Sequence, residues 1–201
     1  MVREPFKAGC AGCYDSPVGS GSRRVAVLRL GCRLISLLAV SSVLLSACAL
    51  QQDIAAAPPS GKTGFAAPAV SGQTLDGQAL AVSFRAHRTV LVFWASWCGP
   101  CRHEQPYITQ MAKDLAFQGV RFIGVDFLDR DHAAAAAFVQ EFRVPYPSIY
   151  DPDGKIAAAY QVDSPPAKVL VDGRGIVVAR IDGETTADKL ERLIQAKLLS
   201  G

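Results

Sequence analysis

The chain has 201 residues, half of them hydrophobic and 19% charged, with six cysteines and a formal charge of +3. Such a composition excludes a wholly disordered chain, and six cysteines are too few for a disulfide scaffold. Residues 1–47 hold six Lys/Arg against two acids, and the rest of the chain is within one charge of neutral, so no nucleic-acid partner is expected.

Arg29 and Arg33 precede an uncharged stretch, residues 34–47 (LISLLAVSSVLLSA), in the manner of a secretory signal; residues 1–47 read as a leader. It ends Leu45-Ser46-Ala47-Cys48, which resembles the lipobox of bacterial lipoproteins. The resemblance implies that Cys48 is acylated and becomes the mature N-terminus. The alternative is an uncleaved signal anchor, since residues 34–52 give 19 uncharged positions, about enough to span a bilayer. Both place the following domain outside the cytoplasm, anchored to a membrane, either in a periplasm or on the outer face of the cytoplasmic membrane. A leader of 47 exceeds the usual length of about 15–30. A start at Val25 would leave 23 residues and make 1–24 an upstream extension. Ser22-Arg23-Arg24 resembles a twin-arginine signal, but Ala26 stands where that signal favours a large apolar residue. Cys10-Ala11-Gly12-Cys13 offers two ligands where zinc needs four, with no His nearby; it is read as an accident of the extension, and no metal or cofactor is expected. Residues 48–69, rich in Ala, Pro, Gly and Ser, read as the lipidated Cys and a flexible linker with a reach of roughly 20–25 Å.

The globular domain is expected over 70–201. Asp76-Gly77 between short apolar pieces signals a hairpin. Residues 89–94 (TVLVFW) and 120–127 (VRFIGVDF) are continuous apolar runs, as in buried strands. Residues 98–117 show helical spacing, and 131–142 form an Ala-rich helix with Asp131 at its start. A short strand at 148–150, a helical turn or two at 155–160 and a hairpin of 167–171 with 176–181 follow. Residues 186–199 close the chain as a helix with Leu190, Leu193, Ile194 and Leu198 on one face. The order β-α-β-α-β-α-β-β-α indicates an α/β sheet with helices on both faces.

Between the first buried strand and its helix lies Trp94-Ala95-Ser96-Trp97-Cys98-Gly99-Pro100-Cys101. Two cysteines at i and i+3 on a first helical turn are near enough for a disulfide. The first sits where unpaired N–H groups and the helix dipole favour a thiolate. Cys98 is therefore expected to be the exposed nucleophile and Cys101 the resolving thiol. Pro100 falls where a missing N–H costs nothing.

The Trp-Cys-Gly-Pro-Cys core resembles the thioredoxin-superfamily active site, and the resemblance covers about residues 65–199. It implies a thioredoxin fold: a central mixed β-sheet flanked by helices, here with an N-terminal β-hairpin extension. Cys101-Arg102-His103-Glu104-Gln105-Pro106 is similar to the C-x-x-E-x-P of the TlpA/ResA-like branch, extracytoplasmic thiol–disulfide oxidoreductases of which several serve cytochrome c maturation. In that branch such a glutamate tunes the cysteine pKa values and helps move a proton, a role implied for Glu104. Pro106 is expected to kink the helix. Cytoplasmic thioredoxins keep a buried Asp in the preceding strand; Val92 stands there, so Glu104 is the nearby candidate base. His103 faces away from the side shared by Cys101 and Glu104 and reads as solvated. Trp97 is expected at the apolar rim of the site and Trp94 in the core. Ser164-Pro165-Pro166 resembles the family's cis-proline loop, with Pro166 as the cis residue. Pro165 departs from the pattern, because it has no N–H to offer a bound peptide, and Ala167 and Lys168 replace family threonines.

The resemblance implies a disulfide-bonded or dithiol protein substrate, an apocytochrome c among the candidates, and a membrane electron donor that recycles a reductase. Two alternatives stand. A thiol peroxidase of the peroxiredoxin type would carry Thr or Ser three residues before the nucleophile, where this chain has Ala95. A Cu(I)-binding lipoprotein would use the two thiolates as ligands, but related copper carriers have a longer Cys spacing and a distant His.

Overall fold

The computed structural model describes residues 58–200. The leader, Cys48 and the Cys10–Cys13 pair lie outside them.

A small antiparallel hairpin comes first, β1 (Val70–Gln73) and β2 (Ala79–Val82), with Val70 opposite Val82. Its turn is closed by Gly77, whose φ of 81° suits a residue without a Cβ. The main sheet has five strands: β3 (Arg88–Trp94), β4 (Val120–Phe127), β5 (Ser148–Asp151), β6 (Ala167–Val171) and β7 (Val177–Asp182). Their spatial order is β5-β4-β3-β6-β7. β3, β4 and β5 are mutually parallel, whereas β6 and β7 run antiparallel to their neighbours. The helices are α1 (Gly99–Ala116), α2 (His132–Glu141), α3 (Lys155–Ala159) and α4 (Ala187–Ile194). This is the mixed sheet, flanked by helices and preceded by a hairpin, that the family resemblance implies.

β3 is buried on both sides because its side chains alternate with period two. Val90, Val92 and Trp94 join one core with Ile108, Met111 and Leu115 of α1, Phe138 of α2, and Leu190 and Ile194 of α4. Leu91 and Phe93 join the other, with Ile123, Val125, Ile149, Val169, Val171 and Ile156 of α3. Trp94 is core, as expected: its ring stacks on Phe138 at 4.3 Å. Arg102 ties α1 to α2, pairing with Glu141 and lying over the rings of Phe138 and Phe142 at 5.6 and 5.1 Å.

Two expectations need correction. The segment before Val70 is not all linker, since the chain packs on the domain from about Ser60. Ser60 N–H donates to Ala66 O, and Ala66 bridges to Ile176. Gly61 is pressed on the backbone of Tyr160, where an added Cβ would fall 2.2 Å from the carbonyl oxygen. The guanidinium of Arg180 binds the carbonyls of Gly61 and Tyr160. Small residues here serve close backbone packing, which composition alone does not distinguish from flexibility. The last helix keeps its expected face, but α4 changes to a π-helical turn at Gln195–Leu199. α1 continues past Pro106 to Ala116.

Phe138→Ala removes the ring on which Trp94 stacks and over which Arg102 lies. Loss of a buried phenylalanine costs about 3–5 kcal/mol. Chemical denaturation of the variant should show a loss of that size.

Candidate active site

The site is built where β3 ends and α1 begins. Cys98 is the N-cap of α1, with extended backbone (φ −83°, ψ 103°) and a sulfur that accepts the Cys101 N–H at 3.2 Å. One orphan donor of the helix terminus thus points at the Cys98 sulfur. The remaining partial positive charge of that terminus favours a thiolate there. Pro100 lies in the first turn, where its missing N–H breaks no hydrogen bond. The two sulfurs are joined as a disulfide, with the Cα atoms 5.2 Å apart.

The expectation of an exposed Cys98 is corrected: in this oxidised state Cys98 is 4% and Cys101 3% exposed. Both sulfurs belong to the core that includes Trp94 and Phe138. The exposed surface is supplied by neighbours, with Trp97 58% exposed and Gly99 and Pro100 open to solvent. Position therefore distinguishes the two thiols: Cys98 holds the cap and Cys101 lies inside the helix.

The Pro165–Pro166 bond is cis. β6 starts directly afterwards, with Ala167 opposite Phe93, so the register brings Pro166 to the end of β3 that leads into the cysteines. Pro166 is buried and Pro165 is half-buried. His103 is solvated, and its ring nitrogen lies 3.7 Å from Glu184.

Glu104 follows Cys101 by three residues, which puts both on one face of α1. It is 1% exposed and ion-paired with Lys168, which is fully buried. Thr185 N–H donates to the other carboxylate oxygen at 2.5 Å, and Lys168 also donates to Gly183 O at 3.3 Å. Burial, the largest influence, lowers the Lys168 pKa from its ordinary value, and the Glu104 carboxylate opposes that shift. Lys168 stands opposite Val92 in the β3–β6 register. The place where cytoplasmic thioredoxins keep a buried Asp is thus flanked here by a buried cation.

Sequence reasoning noted Lys168 only as a departure from a family threonine and missed its pairing with Glu104, and it missed Asp126 and Asp129 altogether. Asp129 accepts the Ser96 N–H at 2.7 Å and so pins the turn two residues before Cys98. Asp126, opposite Trp94 in the β3–β4 register, is completely buried, and no donor among the described residues reaches either of its oxygens. Burial, then the charges of Asp129 and Asp151 and a hydrogen bond with Asp129, push its pKa from 3.8 up to about 8. A protonated Asp126 satisfies the pair by donating to Asp129. The available signal was a lone charge in an otherwise apolar run, Lys in AKVLV and Asp in VRFIGVDF. Such a residue is buried with a partner or buried neutral. No group of three or more His, Cys, Asp or Glu side chains among the described residues could hold a metal ion.

A family model described as AhpC/TSA matches residues 63–180. The thiol–disulfide oxidoreductase ResA of a Bacillus cereus strain is 35% identical over 105 residues, 52% of this chain and 60% of that protein. The thiol:disulfide interchange protein HelX of Rhodobacter capsulatus is 34% identical over 157 residues, 76% of this chain and 86% of that one. Among solved structures, a secreted disulfide oxidoreductase of Mycobacterium tuberculosis, homologous to Escherichia coli DsbE, matches with a TM-score of 0.58 at 27% identity; the match covers 63% of this chain and 95% of that one.

The folded pKa of Asp126 lies above its unfolded value. The folded protein therefore keeps this proton from about pH 4 to about pH 8, and stability falls as pH rises through that interval. Asp126→Asn removes the titration while keeping a donor for Asp129. Denaturation at pH 4 and pH 9 should give a variant that gains on the wild type at the higher pH by several kcal/mol, at about 1.4 kcal/mol per pKa unit.

Proposed function

The chain belongs to the AhpC/TSA family of the thioredoxin superfamily, and on that premise we propose that it is a membrane-anchored reductase of disulfides in exported proteins. It is a thiol–disulfide oxidoreductase; the direction of electron flow, the anchoring and the substrate class are the proposal. The observation that carries it is the Cys98–Cys101 pair, with Cys98 capping α1 and the cis-proline segment at the same end of β3.

In the reducing direction the Cys98 thiolate attacks one sulfur of a substrate disulfide. The substrate S–S bond breaks, and the departing sulfur leaves as a thiolate that takes up a proton. Cys101, as its thiolate, then attacks the Cys98 sulfur of the mixed disulfide. The second substrate thiol is released, and Cys98 and Cys101 end as the disulfide. Two electrons pass to the substrate, and a membrane-borne dithiol donor returns them. Glu104 tunes the thiols from beneath, and exposed Trp97 offers an apolar rim to the substrate polypeptide.

Cys48 as a lipid anchor supports the location, together with the leader that precedes it. The described residues contain no helix long and apolar enough to cross a membrane. The similar structure described as a secreted disulfide oxidoreductase supports an extracytoplasmic setting. An apocytochrome c is a candidate substrate. Gly-Pro between the cysteines favours the reducing direction, since it is the choice of thioredoxin, which is reducing at about −270 mV.

Redox titration of the reduced protein should give a potential far below about −120 mV, the value of a strong thiol oxidant; a value near that figure overturns the reductase direction. Cys101→Ser should accumulate a mixed disulfide through Cys98, and Cys98→Ser should form none. Peroxide consumption equal in the wild type and Cys98→Ser separates this activity from a thiol peroxidase. Pro165→Thr restores a backbone N–H beside the substrate. In the Cys101→Ser background it should tighten mixed-disulfide capture by roughly 0.5–1.5 kcal/mol, and unchanged capture would remove Pro165 from substrate docking.

A further inference from the structure

Two opposite charges are buried beneath the redox pair, and only one of them belongs to the active-site helix. Glu104 comes from α1, one turn past Cys101. Lys168 comes from β6, two residues beyond the cis-proline bond. Residues three apart on a helix have Cβ atoms about 5–6 Å apart, so Glu104 leaves the same face of α1 as Cys101, one turn further on. The ammonium of Lys168 meets the Glu104 carboxylate directly, and neither side chain has solvent to screen it.

The surroundings leave the pair to compensate itself. From α1, Tyr107 faces it, and its hydroxyl donates to Thr185 O at 2.6 Å. The loop after β7 contributes Gly183 O to Lys168, Thr185 N–H to Glu104 and the nearby charge of Glu184. Tyr146 feels Glu104 from beyond α1. Both tyrosine pKa values are raised, chiefly by burial, so the phenols stay neutral. The side-chain charges that face the pair are thus Glu104, Lys168 and the more exposed Glu184.

We infer that Lys168 is a positioning residue of the redox site: its ammonium neutralises Glu104 and joins the cis-proline segment to the active-site helix, so that the thiols titrate above a compensated ion pair rather than a lone carboxylate. The inference rests on Cys98 acting as the nucleophile. Its consequence is a pair of opposite shifts. Removing the carboxylate leaves a buried cation, which favours the Cys98 thiolate. Removing the ammonium leaves a buried anion, or a carboxyl that ionises as pH rises, and disfavours it.

The test measures the rate of Cys98 alkylation against pH in the reduced full-length protein, for the wild type and four variants. Half a pKa unit changes the thiolate fraction below the pKa about threefold. Glu104→Gln should alkylate about threefold faster than the wild type at a pH below its thiol pKa, and Lys168→Met about threefold slower. Glu104→Gln/Lys168→Met should return to the wild-type profile, and Lys168→Arg, which keeps the charge, should hold it. If Lys168→Met does not fold, Glu104→Gln and the double variant decide. Single variants that shift in the same direction, a Glu104→Gln profile that does not move to lower pH, or a double variant that fails to return each overturn the inference. Reduction of a model disulfide by the wild type is the control: if it fails, the reductase proposal falls with the inference, and if it proceeds while the variants stay unmoved, the inference alone falls.

Discussion

Burial of β3 on both faces is the constraint from which the site follows. A strand with apolar cores above and below cannot carry chemistry along its length. Its one opening is the end where the chain leaves the sheet, and there Trp94 hands over to the turn that places Cys98 at the start of α1. The parallel pairing with β4 and the antiparallel pairing with β6 fix what surrounds that end. β4 brings Asp126 opposite Trp94, and β6 brings the cis proline and then Lys168. Sheet register therefore sets the chemical neighbourhood of the cysteines, although none of these residues is near them in sequence.

The electrostatics divide into two layers. At the surface of the site the helix terminus supplies partial positive charge to Cys98, and an N–H hydrogen bond from Cys101 holds that sulfur. Below it, charge is admitted only where it is compensated. Glu104 has Lys168 and the Thr185 N–H, and Asp129 has the N–H groups of Ser96 and Asp131. Asp126, which no donor among the described residues reaches, keeps its proton. Desolvation penalises an unpaired ion far more than an ordinary hydrogen bond rewards a paired one. Lys168 and Thr185 reach Glu104, and Ser96 reaches Asp129, from distant parts of the chain, so these groups also hold the elements of the site together.

Much of this was legible in the sequence because the signals are local. Hydrophobic runs too continuous for a half-exposed surface marked β3 and β4, a period near 3.6 marked α1 and α4, and two cysteines at i and i+3 after a buried strand marked the redox pair. The cis-proline segment was read from its resemblance to the family's loop, in which Pro166 aligns with the cis residue, and an X–Pro bond makes that isomer accessible. The misplaced start of the domain shows the limit of such signals. Gly61 and its neighbours look like linker by composition, yet glycine also permits the close backbone approach that Tyr160 makes there.

The sequence by itself determined the strand–turn–helix that holds the cysteines, the helix terminus that favours a thiolate at Cys98, and the continuous apolar run that buries β3. These depend on residues within a few positions of one another, where backbone geometry relates spacing directly to direction. Tertiary structure alone decided that Glu104 meets Lys168, 64 positions away, and that Asp129 holds the backbone of Ser96 from 33 positions away. It also decided that Cys98 is covered rather than exposed in the disulfide state. Those outcomes depend on strand register and on which helix packs over which face. A charge in an apolar run says only that compensation is needed, while packing supplies the partner.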